Sequence, residues 1–178
     1  MCQYSIMQIL IDGYNLIRQS DVLRRYELHS LEAGRRALMS KLSEYKRKKG
    51  HKITVVFDGW KGGSEQEERD RYGNIDIIYS RQGEKADDVI KRLTERISGE
   101  TIVVSSDREI ASYTTHQGKT ALSSLEFEAI MNRAISPSLN RKYTSDDDND
   151  RAARRKKKGP ARRLPRARRH TQKKIKKL

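Results

Sequence analysis

One cysteine, three prolines and no long apolar run in 178 residues set the first limits on this chain. With Cys2 alone, an intramolecular disulfide is excluded, and so is a cysteine-rich zinc site; both exclusions fit a reducing cytoplasm. No segment approaches the roughly 18–20 consecutive apolar residues that span a bilayer, and no basic region precedes the short apolar run near the start. A cytoplasmic protein without a membrane segment is therefore expected. A P-loop and a dinucleotide glycine fingerprint are both missing, which removes the usual phosphate cradles, and no small-molecule cofactor is expected. No serine sits in a nucleophile elbow. The four histidines, His29, His51, His116 and His170, have no metal-ligand spacing; the first three read as loop or helix-end residues, and His170 lies in a basic tail.

Acidic residues are also missing from the last stretch. From Arg151 onward there are 15 Lys and Arg and no Asp or Glu, so the whole formal charge of +15 belongs to this tail, and the rest of the chain is balanced at 24 basic against 24 acidic residues. A neutral body of ordinary domain size is expected over residues 1–137, followed by an acidic linker over 138–150 and a disordered polybasic tail over 151–178. Dense like charge, with Pro160 and Pro165, opposes a stable helix in the tail. Such a block seeks phosphate, which makes Arg154, Arg155, Lys156, Lys157, Lys158, Arg162 and Arg163 candidate RNA contacts. A merely solubilising extension is the plain alternative.

What the body contains is an alternation of β and α patterns. Ile9-Leu-Ile-Asp12 is a buried strand ending in an acid, followed by Gly13, which permits a sharp turn, and Asn15. A short helix is expected near Asn15–Gln19. Ser30 caps a helix through about Lys48 with Leu31, Leu38, Leu42 and Tyr45 on one face and Gly50 as its stop. Ile53 to Asp58 repeats the first pattern. The Gly59–Ser64 loop carries Trp60 and Lys61, which suit stacking on a base and holding a phosphate, although a Trp lid over the core fits equally. The charged stretch Glu65–Arg71 has no core face. A strand over Asn74–Tyr79 leads to a helix traced by Val89, Ile90, Leu93 and Ile97, with Asp87 and Asp88 in its first turn. Thr101 to Asp107 is another strand ending in an acid. A helix over 108–116 turns Ile110 and Tyr113 inward, Ala121-Leu122 is a short strand, and Ser123 with Glu126 has capping-box spacing for a helix carrying Leu125, Phe127, Ile130 and Met131. The expected fold is a three-layer α/β domain, Rossmann-like, with a mainly parallel central sheet.

In a parallel sheet the strand ends share one edge, so Asp12, Asp58, Asp107 and the Asp87-Asp88 pair converge there although they are distant in sequence. Any one of them alone also reads as a helix cap. Together they repel one another unless a cation neutralises them, and oxygen ligands without Cys or His point to Mg²⁺ or Mn²⁺. Such a site activates water for in-line attack on a phosphodiester. Asn15, Ser105 and Ser106 are supporting residues that either hold metal-bound water or a phosphate oxygen, or satisfy loop backbone.

The motifs ILIDGYNLI, VVFDG, KADDVI and VVSSDREI, in this order over about the first 135 residues, resemble the NYN domain of the YacP type, a PIN-like ribonuclease family. The resemblance implies a PIN-like fold, a divalent metal and endoribonuclease activity on RNA, in some bacterial members on translating ribosomes. It implies catalytic acids at Asp12, Asp58, Asp87 and Asp107. For the metal it implies Asp12, Asp107 and one of the Asp87-Asp88 pair; Asp87 is favoured and Asp88 kept as second candidate. The tail lies outside the resemblance. A non-catalytic RNA- or ribosome-binding factor on the same scaffold is the alternative. A dehalogenase-type phosphatase is disfavoured because Asp12-Gly13-Tyr14 lacks a second acid two positions on.

Overall fold

The computed structural model describes residues 6–59, 66–136 and 166–178. Its chain order is β1 (Gln8–Asp12), α1 (Gly13–Gln19), α2 (Asp21–His29), α3 (Leu31–Lys49), β2 (Lys52–Phe57), β3 (Glu68–Tyr72), β4 (Ile75–Tyr79), α4 (Ala86–Arg96), β5 (Thr101–Val104), α5 (Arg108–His116), β6 (Thr120–Leu122), α6 (Ser124–Ile135) and α7 (Arg166–Ile175). Six strands form one sheet in the order β3-β4-β2-β1-β5-β6. All neighbours run parallel except β3, which is antiparallel to β4. The expected three-layer α/β fold is present.

The period-2 alternation of the strands feeds two cores, one on each face. Ile9 and Ile11 of β1, Ile53, Val55 and Phe57 of β2, and Ile102 and Val104 of β5 pack with Leu38, Leu42, Tyr45, Phe127 and Met131. Leu10, Val56, Ile78 and Val103 pack with Val89, Ile90 and Ile110 on the opposite face. Ser30 caps α3 through its hydroxyl, and Gly50 ends it in the left-handed conformation at φ 73. Ser123 and Glu126 form the expected capping box of α6.

Several local expectations differ from the structure. The connection after β1 is two helices, because Ser20 both closes α1 and caps α2. The charged stretch before Asn74 contains strand β3, exposed throughout; an edge strand needs no core face when its neighbour supplies the hydrogen bonds, and charge protects such an edge. Leu31 and Leu125 stand exposed in the first turns of their helices, and Thr114 takes the buried place expected for Tyr113, whose hydroxyl bonds Glu95 at the surface.

The largest difference is in the tail. Residues 151–165 lie outside the described part, but 166–175 form α7, and Leu178 is only 3% exposed within the larger core. Ile175 packs beside it. The Tyr45 hydroxyl donates to the Leu178 carbonyl at 3.1 Å, the His51 ring meets the Lys177 carbonyl at 3.3 Å, and Lys177 pairs with Glu100 at 3.2 Å. Charge density predicts disorder only if nothing apolar can be buried. Ile175 and Leu178, three residues apart, share a helical face that finds the core while Lys173, Lys176 and Lys177 stay in water.

Candidate active site

The chain leaves β1 toward β2 and β4 on one side, then crosses to β5 and β6 on the other. The boundary between β1 and β5 is therefore the topological switch point, where loops at the carboxyl ends diverge and open a crevice. Asp12 stands on one side of it and Ser105 to Asp107 on the other.

Asp12 ends β1 and caps α1. Its Oδ1 accepts from the Asn15 backbone N–H at 3.1 Å and its Oδ2 from the Ser105 hydroxyl at 3.2 Å. The side chain belongs to a residue only 8% exposed. Burial is the main reason its pKa rises from 3.8 to about 6; the two hydrogen bonds oppose the rise, and the Asp87 and Asp58 charges add to it. Gly13 is required by space: a Cβ there would lie 2.2 Å from the Phe57 ring. Its role is close packing, whereas the sequence suggested a turn.

Asp107 caps α5, with Oδ1 accepting from the Glu109 N–H at 2.6 Å and the Ile110 N–H at 3.4 Å. Asp58 serves the start of α4 from a distance in sequence, its Oδ1 accepting from the Ala86 N–H at 2.6 Å, while the local cap residue Lys85 makes no side-chain cap bond. Asp87 sits half-buried in the first turn of α4. Its pKa is raised by burial first, then by the Asp107 and Asp58 charges, with Lys91 pulling it down. Asp88 is exposed and lines a hollow with Arg81, Gln82, Gly83 and Glu84. Of the pair, Asp87 is the less exposed, and its charge raises the Asp12 pKa. Asp12, Asp58 and Asp107 thus accept from N–H groups at helix starts, whereas Asp87 lies in the first turn of α4 and feels the Asp107 and Asp58 charges.

The supporting polar residues tie the loops of this edge together. The Asn15 amide oxygen accepts from the Ser106 N–H at 2.9 Å and the Ser124 hydroxyl at 2.8 Å. The Ser106 hydroxyl oxygen accepts from the Ser124 N–H at 3.1 Å, and that of Ser105 from the Asp107 N–H at 3.1 Å. Asn15, Ser105 and Ser106 satisfy loop backbone N–H groups, and Ser105 also donates to the Asp12 carboxylate. Ser124 was not legible in the sequence, where it is only the residue after a cap. Lys91, paired with Glu109 and acting on Asp87, was missed too; its place four residues after Asp87 on α4 was the available signal. Trp60 and Lys61, like Arg154, Arg155, Lys156, Lys157, Lys158, Arg162 and Arg163, lie outside the described residues.

Among the described residues no three acids or histidines approach closely enough to form a ready-made metal cage. The donor chemistry nevertheless fits a hard divalent cation: carboxylate oxygens from Asp12, Asp87 and Asp107, no thiolate or imidazole, and a mutual repulsion that a cation would relieve. No helix among the described residues is long and apolar enough to cross a membrane.

The model of the YacP-like NYN domain matches residues 9–177, and so takes in α7 as well as the body. A Bacillus subtilis (strain 168) protein described as "Uncharacterized protein YacP" is 30% identical over 92 residues, 51% of this chain and 52% of that protein. The match thus spans about half the length of this curated relative. The crystal structure of Rae1 (YacP) from Bacillus subtilis has a TM-score of 0.56 at 24% identity, covering 78% of this chain and 79% of that one. A point-mutant form of it has a TM-score of 0.63 at the same 24% identity, covering 80% and 87%. At that identity these structures show a shared fold.

Proposed function

The chain belongs to the YacP-like NYN domain family, a nuclease family, and on that premise we propose that it is a divalent-metal-dependent endoribonuclease hydrolysing RNA phosphodiester bonds, including those of ribosome-bound RNA. The observation that carries the reading is the crowding of Asp12, Asp58, Asp87 and Asp107 at the switch point, where two of them, Asp12 and Asp87, have raised pKa values.

The residues divide the work as follows. Asp12, Asp87 and Asp107 would hold Mg²⁺ or Mn²⁺, which when bound would lower the pKa of water and offset phosphate charge. Asp12 is kept in one orientation by Asn15 and Ser105, and Asn15 in turn by Ser106 and Ser124; a fixed carboxylate loses little freedom on binding. Asp58 orients the start of α4 and hence Asp87. In hydrolysis the water oxygen bonds to phosphorus, the bond to the departing ribose oxygen breaks, a carboxylate of this edge receives the proton lost by the attacking water, and the departing oxygen takes up a proton from solvent water. The N-termini of α1, α4 and α5 face the same edge and favour its negative charge. By residue type, Trp60 suits stacking on a base and Lys61 holding a phosphate, and Arg154, Arg155, Lys156, Lys157, Lys158, Arg162 and Arg163 supply sequence-independent affinity for phosphates.

The test is cleavage of single-stranded and ribosome-bound RNA by the full chain with Mg²⁺ or Mn²⁺. Loss of cleavage in EDTA and in Asp12→Asn, with the fold retained, is expected; equal activity in either would rule the mechanism out. A non-catalytic RNA- or ribosome-binding factor has one observation in its favour, the lack of a preformed three-acid cage among the described residues. It requires tight RNA binding with no cleavage in any divalent ion.

A further inference from the structure

An acid-lined edge that receives a polyanion needs cations for the substrate as well as for itself. Most basic side chains near this edge are already committed to carboxylates. Lys91 pairs with Glu109, Arg92 with Glu84 and Glu67, Arg81 with Glu84, and Arg18 with Glu27. Arg35, half-buried on α3, takes part in no ion pair or side-chain hydrogen bond with the described residues. Its guanidinium carbon lies 5.6 Å from the centre of the Tyr79 ring.

That position belongs to the edge. Tyr79 ends β4 in register with Phe57, the last residue of β2 before Asp58. The Tyr79 and Phe57 rings stack at 5.8 Å, and Phe57 meets Tyr14 edge-on at 5.0 Å, two residues after Asp12. An aromatic row thus links the ends of β4, β2 and β1, with Arg35 over one end of it and acids beyond its other members. Arg35 and Asp58 both act on the Tyr14 phenol, in opposite senses. A guanidinium held beside a ring at this distance, and paired with no carboxylate of the described residues, keeps its N–H fork available to grip phosphate by two hydrogen bonds. Arg36, next to it, is neutralised by Glu32 at 2.5 Å and exposed.

We propose that Arg35 is a substrate-binding residue of the acid edge: held over Tyr79, it takes a phosphate of single-stranded RNA that flanks the scissile bond on the β2–β4 side of the cleft. This rests on the reading of the cleft as an RNA-cutting site. Arg35 fixes where the strand enters, and the acids act on the next phosphate along.

The test uses the full chain carrying Asp12→Asn, so that RNA is not consumed, and a short fluorescent single-stranded oligoribonucleotide read by anisotropy over a salt series. Arg35→Met keeps the stem and removes the charge. Its expected Kd is about tenfold weaker, with the slope of log Kd against log salt reduced by about 0.7, one phosphate contact on a single strand. Arg35→Lys is expected to recover the salt slope and only part of the affinity, because an ammonium retains the charge and loses the fork. With Asp12 intact, Arg35→Met is expected to raise KM about tenfold and change kcat less than threefold. Unchanged Kd and salt slope in Arg35→Met, with an unchanged melting curve, overturns the proposal and reduces the contact with Tyr79 to packing. If the Met variant melts early, Arg35→Gln is read in the same assay with the same two outcomes. An Asp12→Asn protein that binds no RNA defeats the endoribonuclease reading and this inference with it, whereas binding that ignores Arg35 defeats the inference alone.

Discussion

The two ends of the central sheet are built by the same rule and carry opposite charge. At the carboxyl ends of the strands, α1, α4 and α5 begin, and Asp12, Asp58 and Asp107 accept from their first N–H groups. At the amino ends, α3 finishes in Lys46, Arg47, Lys48 and Lys49, and the Leu178 end of the chain docks beside Tyr45 and His51 with its lysines outward. Acids at helix starts and bases at helix ends both follow the helix dipole. The difference lies in crowding. The lysines spread over solvent, whereas the acids converge on one crevice until burial and mutual repulsion raise the Asp12 pKa to about 6. Dipole preference alone accounts for the basic end; at the acidic end burial of Asp12, with the smaller effect of the Asp87 and Asp58 charges, adds a raised carboxylate pKa.

The comparison is sharpened most by separating crowded acids from exposed ones. Asp87→Asn is expected to lower RNA cleavage at least about a hundredfold, and Asp88→Asn less than about threefold, in a single-turnover assay at saturating Mg²⁺. Equal losses would assign the pair a shared role and dissolve the distinction drawn from their surroundings.

Crowding also has a pH signature. In the folded chain Asp12 keeps its proton to about pH 6, against 3.8 for the free group. Between those values the folded state binds more protons, so stability falls as pH rises through this window and stays low above it. The expected span is on the order of 3 kcal/mol in urea melts without divalent ions. Asp12→Asn, which still caps α1, is expected to flatten this slope and to melt higher than the parent at pH 7 in EDTA.

At the opposite end, Leu178→Ala is expected to cost about 2–3 kcal/mol of stability, read by the same melts, because it empties a place in the main core. Neutralising Arg154, Arg155, Lys156, Lys157 and Lys158 is expected to leave the melt unchanged while weakening RNA binding and its salt dependence. A stable Leu178→Ala protein would return α7 to the status of a solvated tail. The smallest effect belongs to Asp58→Ala, which removes the cap of α4 and is expected to cost about 1 kcal/mol.

Much of this was legible in the sequence. Ile9 to Asp12, Ile53 to Asp58 and Thr101 to Asp107 are strands whose alternation and terminal acids follow from local pattern, and Ser30, Gly50, Ser123 and Glu126 marked helix limits that the structure has. Strand β3 was not legible, because a fully exposed edge strand carries no apolar signature. Nor was α7, since composition averages over the two apolar residues that dock it. Arg35 gave no signal, as its neighbours Tyr79 and Tyr14 come from other elements.

The sequence by itself determined the alternation of strands and helices, the acid at the end of each central strand, and a strongly basic terminal stretch. These are local properties, set by periodicity and by the residue types that end strands and start helices. Only the tertiary structure decided that β1 and β5 are neighbours, that Asp87 is half-buried where Asp88 is exposed, and that the last residues of the basic stretch close the core. Strand order, burial and the dielectric around a carboxylate depend on residues that meet from far apart in the chain, and no window of sequence contains them.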